Sequence, residues 1–438
     1  MNKLYLTVLG LVATGMLIWL QAEPTIFSNT NFMQWRSSLI QGTGIIGLLL
    51  ITLTMLLALR LPSIEKLTAG LDKSYRLHKW VAIWGVILGA AHWLLAIVPK
   101  KLVQLGLLER GNHARPELDP DSLQATVMGL RGGAESIGEI ALYGFILLTL
   151  IALLAPIKYK HFKLTHKAMA VAFIVIVYHS VVLLKPSYWD NLITPMVIAL
   201  ALIGTAGAVV SLLGLIGKRQ THQGAISALT YNPENQTTKV AIALPTWSGH
   251  NAGQFAFLKV ADEEPHPFTI SSSADAPQLE FTIKALGDFT ATLHQRLTVG
   301  DKVTVEGPYG KFQFEDNRAQ IWVAGGIGIA AFKARLTDLK QQENAPSVTL
   351  YYCTQAPSSG FIHELETLAR EANIEFHVFD NRVMQHLTIA DIKQKQGPLD
   401  NHSVWFCGPL GFGEALKSQL SNERFDLRHF HTELFNFR

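Results

Sequence analysis

The sequence predicts an all-α bundle of six membrane-spanning helices, then a small antiparallel β-barrel, then an open parallel α/β sheet. Three observations predict this. Apolar residues concentrate before residue 217 and raise the mean hydropathy of the 438-residue chain to +0.22, high for a soluble protein of that size. Between Gly224 and Pro308, short runs alternate polar and apolar residues, the pattern of half-buried strands. From Ala319 onward, apolar runs of strand length alternate with stretches of helical length. The chain accordingly divides at 1–217, 218–317 and 318–438.

The six spans fall at 4–20, 39–59, 78–98, 139–156, 164–184 and 192–216, each near the ~20 apolar residues that cross a bilayer. The first is expected to be a span rather than a signal peptide: the apolar run Leu4–Leu20 exceeds the usual core, and only Lys3 supplies positive charge before it. Arg60, Lys66, Lys73, Arg76 and Lys79 follow span two. Lys158, Lys160, Lys163 and Lys167 follow span four, and Lys218-Arg219 follow span six. Basic loops stay cytoplasmic, so the N-terminus and everything after residue 217 are expected inside a cell (inner) membrane crossed several times. The loop from Pro99 to Gly138 is expected outside.

Charge and cysteine content exclude several classes. The net charge of +3 comes with no basic run interleaved with aromatics, so no nucleic-acid partner is expected. Only Cys353 and Cys407 occur, which excludes a disulfide framework and a cysteine-held metal cluster and fits a reducing compartment.

The spans carry four histidines. His78 and His92 lie on span three, His166 and His179 on span five. Ionisable groups inside a membrane are costly and are functional candidates by default. A single histidine there is as readily a polar group satisfied within the bundle. Four at matched depths, on two spans of the same orientation, instead make two bis-imidazole sites, His78 with His166 and His92 with His179. Neutral imidazole suits haem iron, so two b-type haems are expected, about 20 Å apart at 1.5 Å per residue. Fourteen residues leave His92 within about 40° of His78, whereas thirteen leave His179 about 140° from His166. One π-bulge within 167–178 would restore the phase.

The remaining motifs suit a flavin and a nicotinamide. In His266-Pro267-Phe268-Thr269-Ile270-Ser271-Ser272, Phe268 can pack on an isoalloxazine ring and Thr269 offers a hydroxyl to its N5. Gly287-Asp-Phe-Thr290 opens a helix, whose N-terminus favours phosphate. Ala324-Gly325-Gly326-Ile327-Gly328 is a glycine-rich strand-to-helix turn of the dinucleotide type, though not of standard spacing. Cys407-Gly408-Pro409 follows a later strand, at the edge where parallel sheets bind ligands. Cys407 there is either near the nicotinamide or a small buried residue. The terminal run His431–Arg438 either stacks an aromatic on the flavin or packs as an edge strand. Taken singly, each motif is equally an ordinary strand, turn or cap.

Together, in this order, these residues resemble the ferric reductase and NADPH oxidase superfamily over nearly the whole chain. The resemblance rests on the histidine spacings, Leu71–Trp80, Gly253-Gln-Phe255, the His266–Ser272 motif, Gly307-Pro-Tyr-Gly310, Ala324–Gly328 and Cys407–Pro409. The soluble half is similar to a ferredoxin–NADP reductase-type module. The resemblance implies an oxidoreductase that passes electrons from cytoplasmic NADH or NADPH through FAD and two haems to an outer acceptor. That acceptor is oxygen, giving superoxide, or a ferric chelate. It also implies that Phe435 stacks on the flavin face that nicotinamide must reach. A competing reading is an electron-donor module for a periplasmic partner protein, such as a methionine sulfoxide repair system. No EF-hand pattern is present, so calcium regulation is not expected. Tyr351-Tyr-Cys-Thr-Gln355 lacks the arginine that a 2′-phosphate normally wants, so NADH is at least as suitable as NADPH.

Overall fold

The computed structural model describes residues 2–29, 31–109, 119–154, 159–261, 263–340, 347–383 and 386–433. It divides into two compact units, Met1–Thr68 with Lys73–Ile216, and Ala69–Asp72 with Gly217–Arg438. Phe435 lies outside the described residues, as do Arg110, His113 and Arg115 of the predicted outer loop.

The first unit is helical: α1 (Asn2–Ala22), α2 (Phe32–Leu57), α3 (Pro62–Thr68), α4 (Leu71–Gln104), α5 (Leu123–Leu154), α6 (Tyr159–Val182) and α7 (Ile193–Leu212). All but α3 contain a stretch long and apolar enough to cross a membrane. Small residues let the helices approach closely. Gly42 of α2 sits against the Trp19 indole, and a Cβ there would come within 2.7 Å of it. Gly204 of α7 likewise leaves room for the buried Phe173 of α6. Just past α1, the buried Glu23 carboxylate accepts from Ser38 at 2.7 Å and from Lys185 and Tyr188. Burial works to raise the Glu23 pKa, but these hydrogen bonds outweigh it and hold the group below its usual value.

α4 and α5 are longer than the spans expected, and the predicted loop Pro99–Gly138 is shorter. α4 continues through Pro99 to Gln104, and α5 begins at Leu123. A proline inside a helix has no N–H for the carbonyl four residues back, here that of Leu95. Arg36 of α2 replaces the missing donor: its Nε donates to the Leu95 carbonyl and its Nη2 to that of Ala96, both at 2.8 Å. The early turns of α5 hold Gly129, Arg131, Gly132, Gly133 and Glu135, a loop-like composition that packing overrides.

The second unit opens with a six-stranded antiparallel barrel: β1 (Thr221–Asn232), β2 (Thr237–Ala243), β3 (Phe255–Val260), β4 (His266–Thr269), β5 (Leu279–Lys284), the short helices α8 (Asp288–Ala291) and α9 (Leu293–Arg296), and β6 (Lys302–Tyr309). The order is β4-β3-β6-β1-β2-β5, and an isolated bridge from Ile270 to Phe281 ties the end of β4 back to β5. Ile242, Leu258, Phe281 and Val305 fill its interior.

A five-stranded parallel sheet follows: β7 (Ala319–Gly325), α10 (Ile329–Leu339), β8 (Val348–Thr354), α11 (Ser359–Glu371), β9 (Glu375–Asp380), α12 (Ile389–Gln396), β10 (His402–Cys407), α13 (Leu410–Asn422) and β11 (Phe430–Thr432). The order β11-β10-β7-β8-β9 reverses between β7 and β10, the switch point where such sheets bind ligands. Both faces are buried, Trp322, Leu350 and Trp405 on one side and Ile321, Tyr351 and Phe406 on the other. α12 joins β9 to β10. Its signal is a capping box in which Thr388 and Asp391 satisfy each other's backbone N–H groups.

Candidate functional site

The four histidines meet in two pairs. The ring centres of His78 and His166 are 5.9 Å apart, and those of His92 and His179 are 6.1 Å apart. Metal–imidazole nitrogen bonds run about 2 Å, so two imidazoles on opposite sides of one iron hold their ring centres about 6 Å apart. The pairs therefore fit an axial haem ligand set, with the macrocycle supplying the other nitrogens. Among the described residues, no three His, Cys, Asp or Glu side chains gather as a metal site. A metal held by protein ligands alone thus has no comparable seat there. Among the described residues, α5 packs closely along α6, and the histidine rings link α4 to α6.

The expected π-bulge is absent: residues 159–182 form one uninterrupted α-helix. The phase problem has a simpler solution. If the facing direction bisects the spread of about 140°, each histidine departs from it by about 70°. A side chain with two rotatable bonds turns its ring through that angle without changing the backbone.

What the sequence reading missed is how the rings are seated. His78 Nδ1–H donates to the Thr54 carbonyl at 2.9 Å, His92 Nδ1–H to that of Ile40 at 3.0 Å, and His179 Nδ1–H to that of Ala134 at 2.9 Å. The Thr43 hydroxyl also lies 3.1 Å from His92 Nδ1. A proton committed at Nδ1 leaves the Nε2 lone pair for a metal and fixes the ring's direction. Glycines make the room: a Cβ at Gly138 would collide with the His179 ring, and one at Gly44 would lie 3.3 Å from His92 Cε1. No side-chain chemistry marks a backbone carbonyl in a sequence, so these partners had no signal there.

In the barrel, His266 stacks on Phe289 with ring centres 4.4 Å apart. Burial lowers its pKa, which favours the neutral ring. Its buried Nε2 has no hydrogen-bond partner among the described residues, and the Thr269 hydroxyl makes no hydrogen bond among them, so both suit a bound ligand. Pro267 and Phe268 pair with Phe257 and Ala256 across β3. The Ser271 hydroxyl accepts from Thr282 at 3.1 Å, and Ser272 Oγ accepts from the Glu280 amide at 3.1 Å, so both serve the barrel's own structure. α8 begins after Gly287 as expected, and the Thr290 hydroxyl accepts from the Leu286 and Gly287 amides.

The two turns at the switch point interlock. A Cβ at Gly325 would meet Pro409 Cδ at 2.7 Å, one at Gly408 would meet Gly325 Cα at 2.9 Å, and one at Gly328 would collide with the Cys407 carbonyl. These three glycines are there for packing. Gly326 differs: it has φ +55° and nothing within 4 Å of its Cβ position, so a ligand can approach its backbone. A narrow cleft beside it is lined by Thr237 and Lys284 of the barrel and by Tyr352, Thr354 and Phe361 of the sheet domain. Cys407 is buried, and burial with the nearby Glu433 carboxylate raises its thiol far above the usual range. It is a neutral thiol at physiological pH. Glu433, also buried, was missed; it lies against Gly310 of the barrel loop.

Residues 43–177 match the family described as ferric reductase like transmembrane component, and residues 226–313 match an FAD-binding domain. The first match includes His78, His92 and His166, and His179 lies two residues beyond it. The chain is 25% identical over 201 residues to the anthranilate 1,2-dioxygenase electron transfer component of Acinetobacter baylyi, covering 42% of this chain and 57% of that one. It is 23% identical over 205 residues to a flavohemoprotein of Vibrio cholerae, covering 42% and 51%. The chain thus spans little more than half the length of these curated relatives. Among solved structures it is similar to the flavohem-like FAD/NAD-binding domain of nitric oxide dioxygenase from Vibrio cholerae, with 19% identity and a TM-score of 0.43 over 48% of this chain and 97% of that one. It is also similar to the flavohemoglobin of Malassezia yamatoensis, with 18% identity and a TM-score of 0.46 over 72% and 98%. Six membrane-length helices, a match to the ferric reductase like transmembrane component and a match to an FAD-binding domain give this chain a ferric reductase and NADPH oxidase-like architecture and indicate an oxidoreductase.

Proposed function

We propose that the protein carries electrons from cytoplasmic NADH or NADPH, through FAD and two haems, to oxygen or a ferric chelate on the far side of the membrane. The observation that carries this reading is the presence of two imidazole pairs, with ring centres 5.9 and 6.1 Å apart, fourteen residues apart along α4. When bound, FAD divides the electron pair of a hydride into single electrons that haems carry onward, while the protein supplies position and electrostatics. Residues 1–217 form the haem-binding domain, 218–317 the FAD-binding barrel and 318–438 the nicotinamide-binding sheet. The basic loops set the N-terminus and both soluble domains on the cytoplasmic side.

Each chain residue has a definite task. His78 with His166 would hold one haem iron, and His92 with His179 would hold the other. His266, Pro267 and Phe268 form an apolar wall for the flavin, Thr269 presents its hydroxyl to the ring, and Ser271 and Ser272 stiffen the turn beneath. Gly287 and Thr290 open the short helix beside the flavin phosphates. Gly326 lets the nucleotide approach the backbone, while Gly325, Gly328, Gly408 and Pro409 hold the two switch-point turns together. Cys407 bounds the nicotinamide site as a neutral, close-packed thiol. Phe435, outside the described residues, keeps only the role the resemblance implies, an aromatic on the flavin face that nicotinamide must reach.

Local charge favours NADH. Asp380 ends β9 opposite Thr354 of β8, and it holds Arg382 in a forked ion pair at 2.7 to 3.3 Å. Lys333 is held by Glu364 at 2.6 Å. Both cations are already paired with carboxylates. NADH should therefore work at least as well as NADPH, and a hundredfold preference for NADPH in steady state would contradict this. The test of the whole path is anaerobic reduction of purified protein in nanodiscs by NADH, followed optically. Haem reduction should follow flavin reduction. Reoxidation by air, compared with ferric citrate and with a superoxide-dismutase-sensitive cytochrome c assay, identifies the acceptor. Flavin reduction without any haem signal would overturn the proposal.

A further inference from the structure

We infer that Arg131 is the positioning residue of the His92–His179 centre, acting through the last turn of α6. The inference rests on the two-haem reading above. Arg131, Ala134 and Gly138 recur at helical spacing and share one face of α5. That face grips the His179 turn at three levels. The Ala134 carbonyl takes the ring N–H of His179 at 2.9 Å. Gly138 leaves the space the ring occupies. Arg131 reaches past both: its Nη1 donates to the carbonyls of Val182 and Leu184 at 3.4 Å, and its Nη2 to that of Leu183 at 3.2 Å.

Those carbonyls lie at and just past the end of α6, where the helix has no further N–H groups to offer. The Leu183 amide in turn donates to the His179 carbonyl at 3.0 Å, so the capped segment is continuous with the ligand's own backbone. Gln41 of α2 donates to the same Leu183 carbonyl at 3.0 Å. α2 also seats the partner ring, through Ile40. Capping three successive carbonyls needs several donors in a fixed plane, which guanidinium has and a lysine ammonium lacks. Arg131 therefore sets where the final turn of α6 lies and, through it, how the His179 ring stands against His92, now 79° between planes.

The test uses the full-length protein in nanodiscs, comparing Arg131→Lys and Arg131→Gln with wild type by low-temperature electron paramagnetic resonance of the oxidised state. The relative angle of two axial imidazoles sets the low-spin signal of the iron between them. Both variants should shift one of two signals, the one that His179→Ala abolishes, and leave the other unmoved with FAD content intact. Should Arg131→Gln not assemble, Arg131→Lys and Gly138→Ala carry the test on the same face. An unmoved spectrum in Arg131→Lys would mean that charge alone suffices and would overturn positioning. Equal shifts in both signals would mean a general loss of structure and would overturn it too. Wild type without bis-imidazole signals would instead defeat the two-haem reading, and the inference with it.

Discussion

The two histidine pairs differ in what surrounds them. At His92–His179, both rings donate to neighbouring backbone carbonyls, and two glycines leave the rings their space. Arginines from two other helices cap carbonyls within about one turn of each histidine, Arg36 on α4 and Arg131 on α6. At His78–His166, the Thr54 carbonyl seats His78, and neither arginine reaches that end. The difference teaches that a ligand is specified by its own residue, but its aim is specified by the backbones beside it. One centre is held by a polar frame drawn from α2 and α5. At the other, α2 seats His78 through Thr54, next to the apolar cluster that holds Leu77 and Val81.

The largest effects break the pairs one at a time. His92→Ala and His179→Ala should each halve the haem content and remove the same haem. His78→Ala and His166→Ala should each remove the other. Haem-to-protein ratios check this, and a variant that keeps both haems would show that the pairing is wrong.

Next in size is the space around the rings. Gly138→Ala places a methyl group against the His179 imidazole, an overpacking that costs roughly 1–3 kcal/mol. It should lower occupancy of that haem alone. Gly44→Ala, whose Cβ would stand 3.3 Å from His92 Cε1, should do the same more weakly. Equal losses from both substitutions would remove the steric explanation.

The bracing of α4 gives a sharper test. Arg36→Gln leaves the Leu95 carbonyl short of a donor, at a cost of about 1–3 kcal/mol. Pro99→Ala restores the missing N–H, so it should recover part of the lost thermal stability in the Arg36→Gln background. If the two effects merely add, Arg36 is not repairing the proline. The smallest effect belongs to Thr43→Val, which removes one supporting hydroxyl from His92 and should cost about 0.5–1.5 kcal/mol while keeping both haems.

These predictions rest on features of unequal visibility in the sequence. The histidines, the six spans, the barrel and the parallel sheet were legible because they follow from residue type and spacing. So were both switch-point turns, because glycine is needed where two turns pack backbone to backbone. α4 beyond Pro99 was not legible, since its continuity depends on Arg36, more than sixty positions earlier. The start of α5 was hidden by glycines and charges whose role emerges only against α6. The π-bulge was expected because helical phase alone takes no account of side-chain reach. Glu433 gave no signal because its burial depends on the barrel loop at Gly310.

The central claim is that α4 and α6 hold two separate irons, each between one histidine of either helix. Low-temperature electron paramagnetic resonance of purified wild type beside the four single histidine-to-alanine variants tests it most directly. The account predicts two low-spin bis-imidazole signals, one lost in both His78→Ala and His166→Ala and the other lost in both His92→Ala and His179→Ala. A single signal in wild type, or one signal lost on replacing either His78 or His92, would contradict it.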